Sequence, residues 1–278
     1  LLGQGDGTFA SPSSWPTGQW PGSLRAVDLN GDGHPDLAVA NADSNDVSIL
    51  LGNGDGTFAP QTRYPVGGYP LDLAVGDFNG DGRPDLATAN EDSDDVSILS
   101  SNADGSYGPE VRLDLGTGQA PPPISLAAPD LTPLPLSLVA ADLDGDGKQD
   151  LAVSYLHESS PVYQDLLGVL LGNGDGTFQP LRTTPAVVNP FGLLRTADVN
   201  GDGIPDLVDA SPGGAATQDL AVLLGLGDGT FGEPQRYNVG CGPYYLASGD
   251  FNGDGQTDLV ASTIGCYDTY DLSILIHH

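Results

Sequence analysis

The sequence predicts an all-β protein: a β-propeller of four-stranded antiparallel blades, five in number, with the ring closed by N- and C-terminal strands sharing one blade. Two observations predict it. A nine-residue loop, Asp28-Leu29-Asn30-Gly31-Asp32-Gly33-His34-Pro35-Asp36, returns at 77–85, 142–150, 198–206 and 250–258. Each copy is flanked by short apolar runs that alternate as strands do, and four such runs per repeat describe a propeller blade.

Taken in order, each unit has the same parts. In the second, strand one is Leu71 to Phe78, the loop follows, strand two begins at Leu86, and strand three is Val96 to Leu99. The third strands elsewhere are Val47 to Leu50, Leu167 to Leu170, Leu220 to Leu223 and Leu272 to Leu275. A second repeated turn, Leu51-Gly-Asn-Gly-Asp-Gly-Thr-Phe58, leads to strand four and recurs at 2–9, 171–178 and 224–231, with a worn copy at 100–107. Its Gly-Asp-Gly core is tight-turn chemistry, and the aromatic after it (Phe9, Phe58, Tyr107, Phe178, Phe231) is expected to pack between adjacent sheets. The loops begin at residues 28, 77, 142, 198 and 250, and the distance from 250 round through the C-terminus to 28 is another 56 residues. A whole number of units follows: 19–66, 67–116, 117–187, 188–240, and 241–278 completed by 1–18. In that last blade the N-terminal segment to about Gly18 is expected to supply the fourth strand and so hide two sheet edges.

The loop chemistry is that of a hard-cation site. Short oxygen ligands at alternate positions, with Gly letting the backbone turn between them, are how a loop wraps Ca2+. Asp28, Asn30, Asp32 and Asp36 would offer side-chain oxygens, and His34 its carbonyl; the equivalents are Asp77, Asn79, Asp81, Arg83 and Asp85, then Asp142, Asp144, Asp146, Lys148 and Asp150. Asp198, Asn200, Asp202, Ile204 and Asp206 form the fourth set, and Asp250, Asn252, Asp254, Gln256 and Asp258 the fifth. A backbone ligand at position seven explains why that side chain varies so widely. An EF-hand would need a Glu at position twelve and a helix after it. Position twelve is Val39, Thr88, Val153, Asp209 or Ala261, and a strand pattern follows. The expectation is about five Ca2+ per chain, against the bland alternative of five Asx-rich turns without metal.

These loops resemble the FG-GAP, or VCBS-type, repeats of integrin α-subunit propellers, some fungal lectins and many large secreted bacterial proteins. The resemblance covers nearly the whole chain and implies Ca2+ at the same five residue sets. It departs from the family in two ways: only Phe191-Gly192 keeps the name motif, where other units have Trp20-Pro21 or Tyr69-Pro70, and the familiar relatives have seven blades where this sequence supplies five. Either five blades close, which the wrap-around spacing favours, or the chain is part of a larger propeller.

Composition narrows the function. The formal charge is -30, and of 38 acidic residues only Glu91, Glu110, Glu158 and Glu233 are not Asp. Even five bound Ca2+ leave a strongly anionic protein, which argues against nucleic-acid or anionic-membrane binding. No apolar run is long enough to span a membrane. The chain contains no Met, so it is expected to be a processed, monomeric piece of a longer secreted or surface protein. In up-and-down blades the metal loops and Gly-Asp-Gly turns share one face. The opposite face carries the long stretches Gln119 to Pro135 and Tyr155 to Asp165, both expected to be irregular. It also carries Cys241 and Cys266, expected as a disulfide with two buried thiols the alternative.

Trp20, Tyr69, Phe191 and Tyr244, six to eight residues before a metal loop, are the candidate ligand-binding ring on that face. Plugging the top of the central channel or packing between blades is their structural alternative. The expected function is a Ca2+-stabilised extracellular adhesion or binding module for glycan or protein, with a non-binding spacer domain the alternative. An enzyme is not expected: the repeated Asp are assigned to metal, and neither the Glu nor the His residues form a catalytic spacing.

Overall fold

In a computed structural model the chain is described over residues 3, 5–115, 133–159, 162–185, 193–210, 219–239, 243–264 and 270–277. The first sheet contains β1 (Pro21–Val27), β2 (Asp36–Asn41), β3 (Asp46–Leu50) and β4 (Thr62–Pro65); the second, β5 (Pro70–Gly76), β6 (Asp85–Asn90), β7 (Asp95–Leu99) and β8 (Val111–Asp114). The third contains β9 (Pro133–Ala141), β10 (Asp150–Ser159), β11 (Val162–Leu170) and β12 (Arg182–Pro185), and the fourth β13 (Leu193–Ala197), β14 (Asp206–Ala210), β15 (Asp219–Leu223) and β16 (Gln235–Asn238). The fifth has three strands, β17 (Pro243–Gly249), β18 (Asp258–Ile264) and β19 (Tyr270–Leu275). Every neighbouring pair is antiparallel and in sequence order, so these are the blades of a β-propeller. No helix occurs among the described residues.

The blades are joined by apolar packing between sheet faces. Leu29, Val47 and Ile49 of the first sheet bury against Leu73, Leu86 and Tyr107 of the second. Ala87, Val96 and Ile98 of the second meet Leu138, Leu151 and Tyr155 of the third, and equivalent clusters join the third to the fourth and the fourth to the fifth. Three of the five aromatics after the second turns, Tyr107, Phe178 and Phe231, enter these clusters as expected: Tyr107 packs edge-on to Tyr64 at 5.4 Å and Phe178 tilts against Phe78 at 5.8 Å.

Two expectations are corrected. Within Tyr155 to Asp165 the described residues are not irregular: β10 and β11 run on as a regular ladder, Tyr155 opposite Leu166 through to Ser159 opposite Val162, with strand-forming Tyr155 on one arm and Val162 and Tyr163 on the other. Ring closure by a shared blade is not seen among the described residues. The N-terminal turn forms, with Gly3 bridging Phe9, but residues 10–17 join no sheet. Pro12 and Pro16 lack the N–H a ladder needs, and Trp15 packs instead edge-to-face on Phe58 of the first sheet, 5.4 Å away.

The consequence shows at both ends of the array. Leu272 and Ile274 on β19 are 71 % and 56 % exposed, where Val47 and Ile49 at the same repeat positions are buried. Between the fourth and fifth sheets lies a cavity of about 300 Å3 lined by Val199, Val222, Leu224, Leu259 and Leu275, the place that Tyr107 and Phe178 fill at earlier junctions. Phe9, the aromatic the repeat would send there, is 64 % exposed. Truncating Phe178 to Ala should therefore cost about 3 kcal/mol of stability by opening a packed junction, and Phe9→Ala almost nothing. Denaturant unfolding of the two variants checks this, and an equal loss in Phe9→Ala would show that Phe9 is buried in solution.

Candidate functional site

Each nine-residue loop is wound around its first aspartate. Gly31 N and Gly33 N donate to the two oxygens of Asp28, both at 2.8 Å, and Gly145 N and Gly147 N do the same to Asp142 at 2.8 and 2.9 Å. The Asp77, Asp198 and Asp250 loops repeat the pattern. The glycines at positions four and six have φ between +73° and +84° in all five copies, a backbone that side chains resist, which is why these two positions never vary. Position five is anchored next: the N–H groups of His34, Arg83, Lys148, Ile204 and Gln256 each donate to the position-five Asp at 2.8–2.9 Å.

Position three behaves in two ways. Asn30, Asn200 and Asn252 donate their amide N–H to the position-five carboxylates Asp32, Asp202 and Asp254 at 2.8–2.9 Å. In the second and third loops the cation at position seven takes that role, Arg83 on Asp81 at 2.5 Å and Lys148 on Asp146 at 2.7 Å. Hydrogen bonds, from the Asn30 side chain first and then from His34 N, hold the Asp32 carboxyl below the usual carboxylate range. The Lys148 side chain does the same for Asp146. In the third loop, where position three is also acidic, Asp142, Asp144 and Asp146 bring one oxygen each within 4.8 Å of the others.

Position nine is placed differently. Asp36, Asp85, Asp150 and Asp206 are wholly buried and Asp258 almost so. One oxygen of each accepts the N–H of position two: Leu29, Phe78, Leu143, Val199 and Phe251, at 2.8–3.1 Å. The other accepts an N–H from the far side of the hairpin: Gly52 at 2.6 Å, Ser101 at 2.8 Å, Gly172 at 2.7 Å, Gly225 at 2.8 Å and His277 at 2.8 Å. In the first four blades this carboxylate therefore ties the nine-residue loop to the second turn of its own blade. The turn comes so close that a Cβ on Gly52 or Gly172 would sit 2.2 Å from the carbonyl oxygen of Pro35 or Gln149. Burial raises the pKa of Asp85, Asp150 and Asp206, opposed by those same two N–H groups. In the third loop the oxygens that converge are those of positions one, three and five.

On the opposite face the sequence reading missed a polar scaffold. Asn41 donates to Asp46 at 2.8 Å and to Ser48 at 2.9 Å, and Asn90 does the same to Asp95 and Ser97 at 2.8 and 2.7 Å. Its signal was the repeated Asn41-Ala-Asp-Ser-Asn-Asp46 and Asn90-Glu-Asp-Ser-Asp-Asp95. The Ser97 hydroxyl accepts the Gly67 N–H and Asn45 Oδ1 the Tyr69 N–H, so the scaffold positions the strand-one entry. Trp20 and Tyr69 both sit there at φ +55°. Pro21 and Pro70 after them disfavour the right-handed α region, and Ala42 N and Glu91 N donate to their carbonyls at 2.9 and 3.0 Å. Trp20 is 65 % exposed and Tyr69 half-buried. Phe191, Cys241 and Cys266 lie outside the described residues; Tyr244 is on β17.

The chain belongs to the FG-GAP-like repeat family, which matches residues 1–39, 28–88, 77–153 and 198–261. No curated protein matched. Among solved structures it is similar to the rhamnogalacturonan lyase YesW (17 % identity, TM-score 0.53) and the Bacillus licheniformis rhamnogalacturonan lyase PL11 (16 %, 0.52), covering 95 % of this chain and 52 % of each of those. It is also similar to the Dos1 propeller (13 %, 0.51), covering 90 % of this chain and 61 % of that one. The chain thus spans about half the length of these lyases, and at such identities the likeness is one of fold.

The loop that holds Tyr69 contains an acid out of keeping with its place. Asp94, at φ +57° where the first unit has Asn45 at +53°, has its pKa pushed up to about 6 by burial and by the charges of Asp95, Asp114 and Asp92. A carboxyl that holds its proton more tightly folded than unfolded favours the fold at low pH and opposes it as pH rises from about 4 through 6. Asp94→Asn should therefore be more stable than the parent at pH 7, with the gap closing towards pH 4. Urea midpoints across that range test it, and a gap independent of pH would contradict it.

Proposed function

We propose that this is a non-catalytic, extracellular binding module, stabilised by Ca2+ on one face and recognising glycan through the other. The observation that carries the reading is the left-handed backbone at Trp20 and Tyr69. A bulky side chain in that region costs about 1–2 kcal/mol, and strain of this kind persists where a side chain has work to do. Glycine at these positions would remove the strain, yet a largely exposed indole stands at one and a phenol at the other. Flat aromatic faces beside polar edges suit sugar stacking. A protein ligand is the second partner class such a face can serve.

The loops fit Ca2+ by the chemistry of their donors, which are hard oxygens only. Asp28, Asn30, Asp32 and Asp36, with the His34 carbonyl, would hold the ion in the first blade and the corresponding residues in the other four. When bound, Ca2+ would neutralise clustered carboxylates and stabilise the fold by mass action. The charge of -30 is compatible with a secreted protein and disfavours nucleic acid.

Melting in EDTA and in millimolar Ca2+ should differ by several degrees, with about five ions bound per chain; an unchanged melting point would remove Ca2+ from the account. On a glycan array at millimolar Ca2+, the parent should bind and Trp20→Gly should lose binding with no loss of melting temperature, because Gly accepts the left-handed backbone. An array on which the parent binds nothing would favour a spacer domain.

A further inference from the structure

The innermost strands of four blades, β1, β5, β9 and β13, surround a cavity of about 400 Å3 lined by Arg25, Ala74, Leu138, Ala140, Arg195 and Thr196. In a sequence with 8 basic residues against 38 acidic ones, two guanidinium groups in one small space call for an explanation. Four of the other basic residues, Arg63, Arg83, Arg112 and Lys148, pair with an Asp of their own blade.

The local carboxylate does not satisfy both arginines. Asp72, buried on β5, accepts from Ser23 Oγ at 2.8 Å, Arg25 Nη2 at 3.1 Å and its neighbour Leu73 N at 2.9 Å on one oxygen. Its other oxygen takes Ser137 Oγ at 2.7 Å and Leu138 N at 3.3 Å. Five donors saturate it. Arg195 is left with a single hydrogen bond among the described residues, from Nη1 to the carbonyl of Leu194 at 2.7 Å. A guanidinium has five N–H donors. The three charges, two positive and one negative, leave the cavity wall with one unbalanced positive charge. Burial weakens the hold of Arg195 on its proton and the nearby Arg25 charge adds to this, while Asp72 opposes it, so an added anion here would relieve repulsion.

We propose that this axial cavity is a binding site for a small monocarboxylate, held by the Arg195 guanidinium with Arg25 beside it. A planar carboxylate matches the guanidinium fork with two parallel hydrogen bonds, and one negative charge balances the wall. The Thr196 hydroxyl and the apolar side chains of Ala74, Leu138 and Ala140 suit a short body carrying hydroxyl groups, such as a single uronic acid or a hydroxy acid. A cavity of this volume falls at the lower end of the range for small-ligand sites, about 300–1,000 Å3. The site shares no residue with the Trp20 and Tyr69 face or with the metal loops, so it stands or falls separately from them.

Titration calorimetry of the full chain with glucuronate, with lactate and with uncharged glucose tests it. Glucuronate or lactate should bind at one site per chain, and glucose should give no heat. Arg195→Gln should weaken binding at least tenfold, and Arg195→Lys, which keeps the charge but loses the fork, should only partly restore it. Circular dichroism and the melting temperature confirm that each variant is folded. If neither acid binds the parent, if glucose binds as well as glucuronate, or if the folded Arg195→Gln variant binds unchanged, the proposal is overturned.

Discussion

The structure depends on one contact repeated five times: a buried aspartate that accepts a backbone N–H from its own nine-residue loop and another from the chain across the hairpin. A buried carboxylate with no partner would be strongly destabilising; two charge-assisted hydrogen bonds make it a clamp instead. In each blade the clamp joins the strand-one-to-two connection to the chain leaving strand three. It holds even in the fifth blade, where His277 supplies the second N–H. In the third loop, whose shape the clamp sets from below, Asp142, Asp144 and Asp146 bring one oxygen each within 4.8 Å of the others.

The two faces follow from the same geometry. One collects five acidic loops and the turns bound to them. The other collects strand entries braced by Asn41, Ser48, Asn90 and Ser97, and there the backbone tolerates strain at Trp20 and Tyr69. The proposed division, recognition on one face and stabilisation on the other, rests on this placement of strained aromatic residues on one side and hard oxygens on the other.

Much of this was legible in the sequence because the repeat is periodic. Strands, loops and second turns fell where hydrophobic alternation and Gly-Asp-Gly turns placed them. Four inter-blade junctions and the packing of Tyr107, Phe178 and Phe231 followed from the same pattern. Position nine reads as one more acid in a row of candidate ligands, and its second part as a clamp across the hairpin shows only in its burial and its two backbone donors. Arg25, Asp72 and Arg195 were not legible for the opposite reason: they repeat nowhere, and their meeting in the axial cavity depends on how four separate strands converge. The N-terminal segment carried the turn of a blade, but Pro12 and Pro16 deny it the ladder that the spacing alone suggested.

Amide hydrogen exchange tests the clamp most directly. In metal-free protein the amides of Gly52, Ser101, Gly172 and Gly225 should exchange far more slowly than that of Gly54 at the exposed tip of the same turn, and Asp36→Ala should release Gly52 while the other three stay protected. Fast exchange at Gly52 in the parent protein, or protection that survives in Asp36→Ala, would contradict the account.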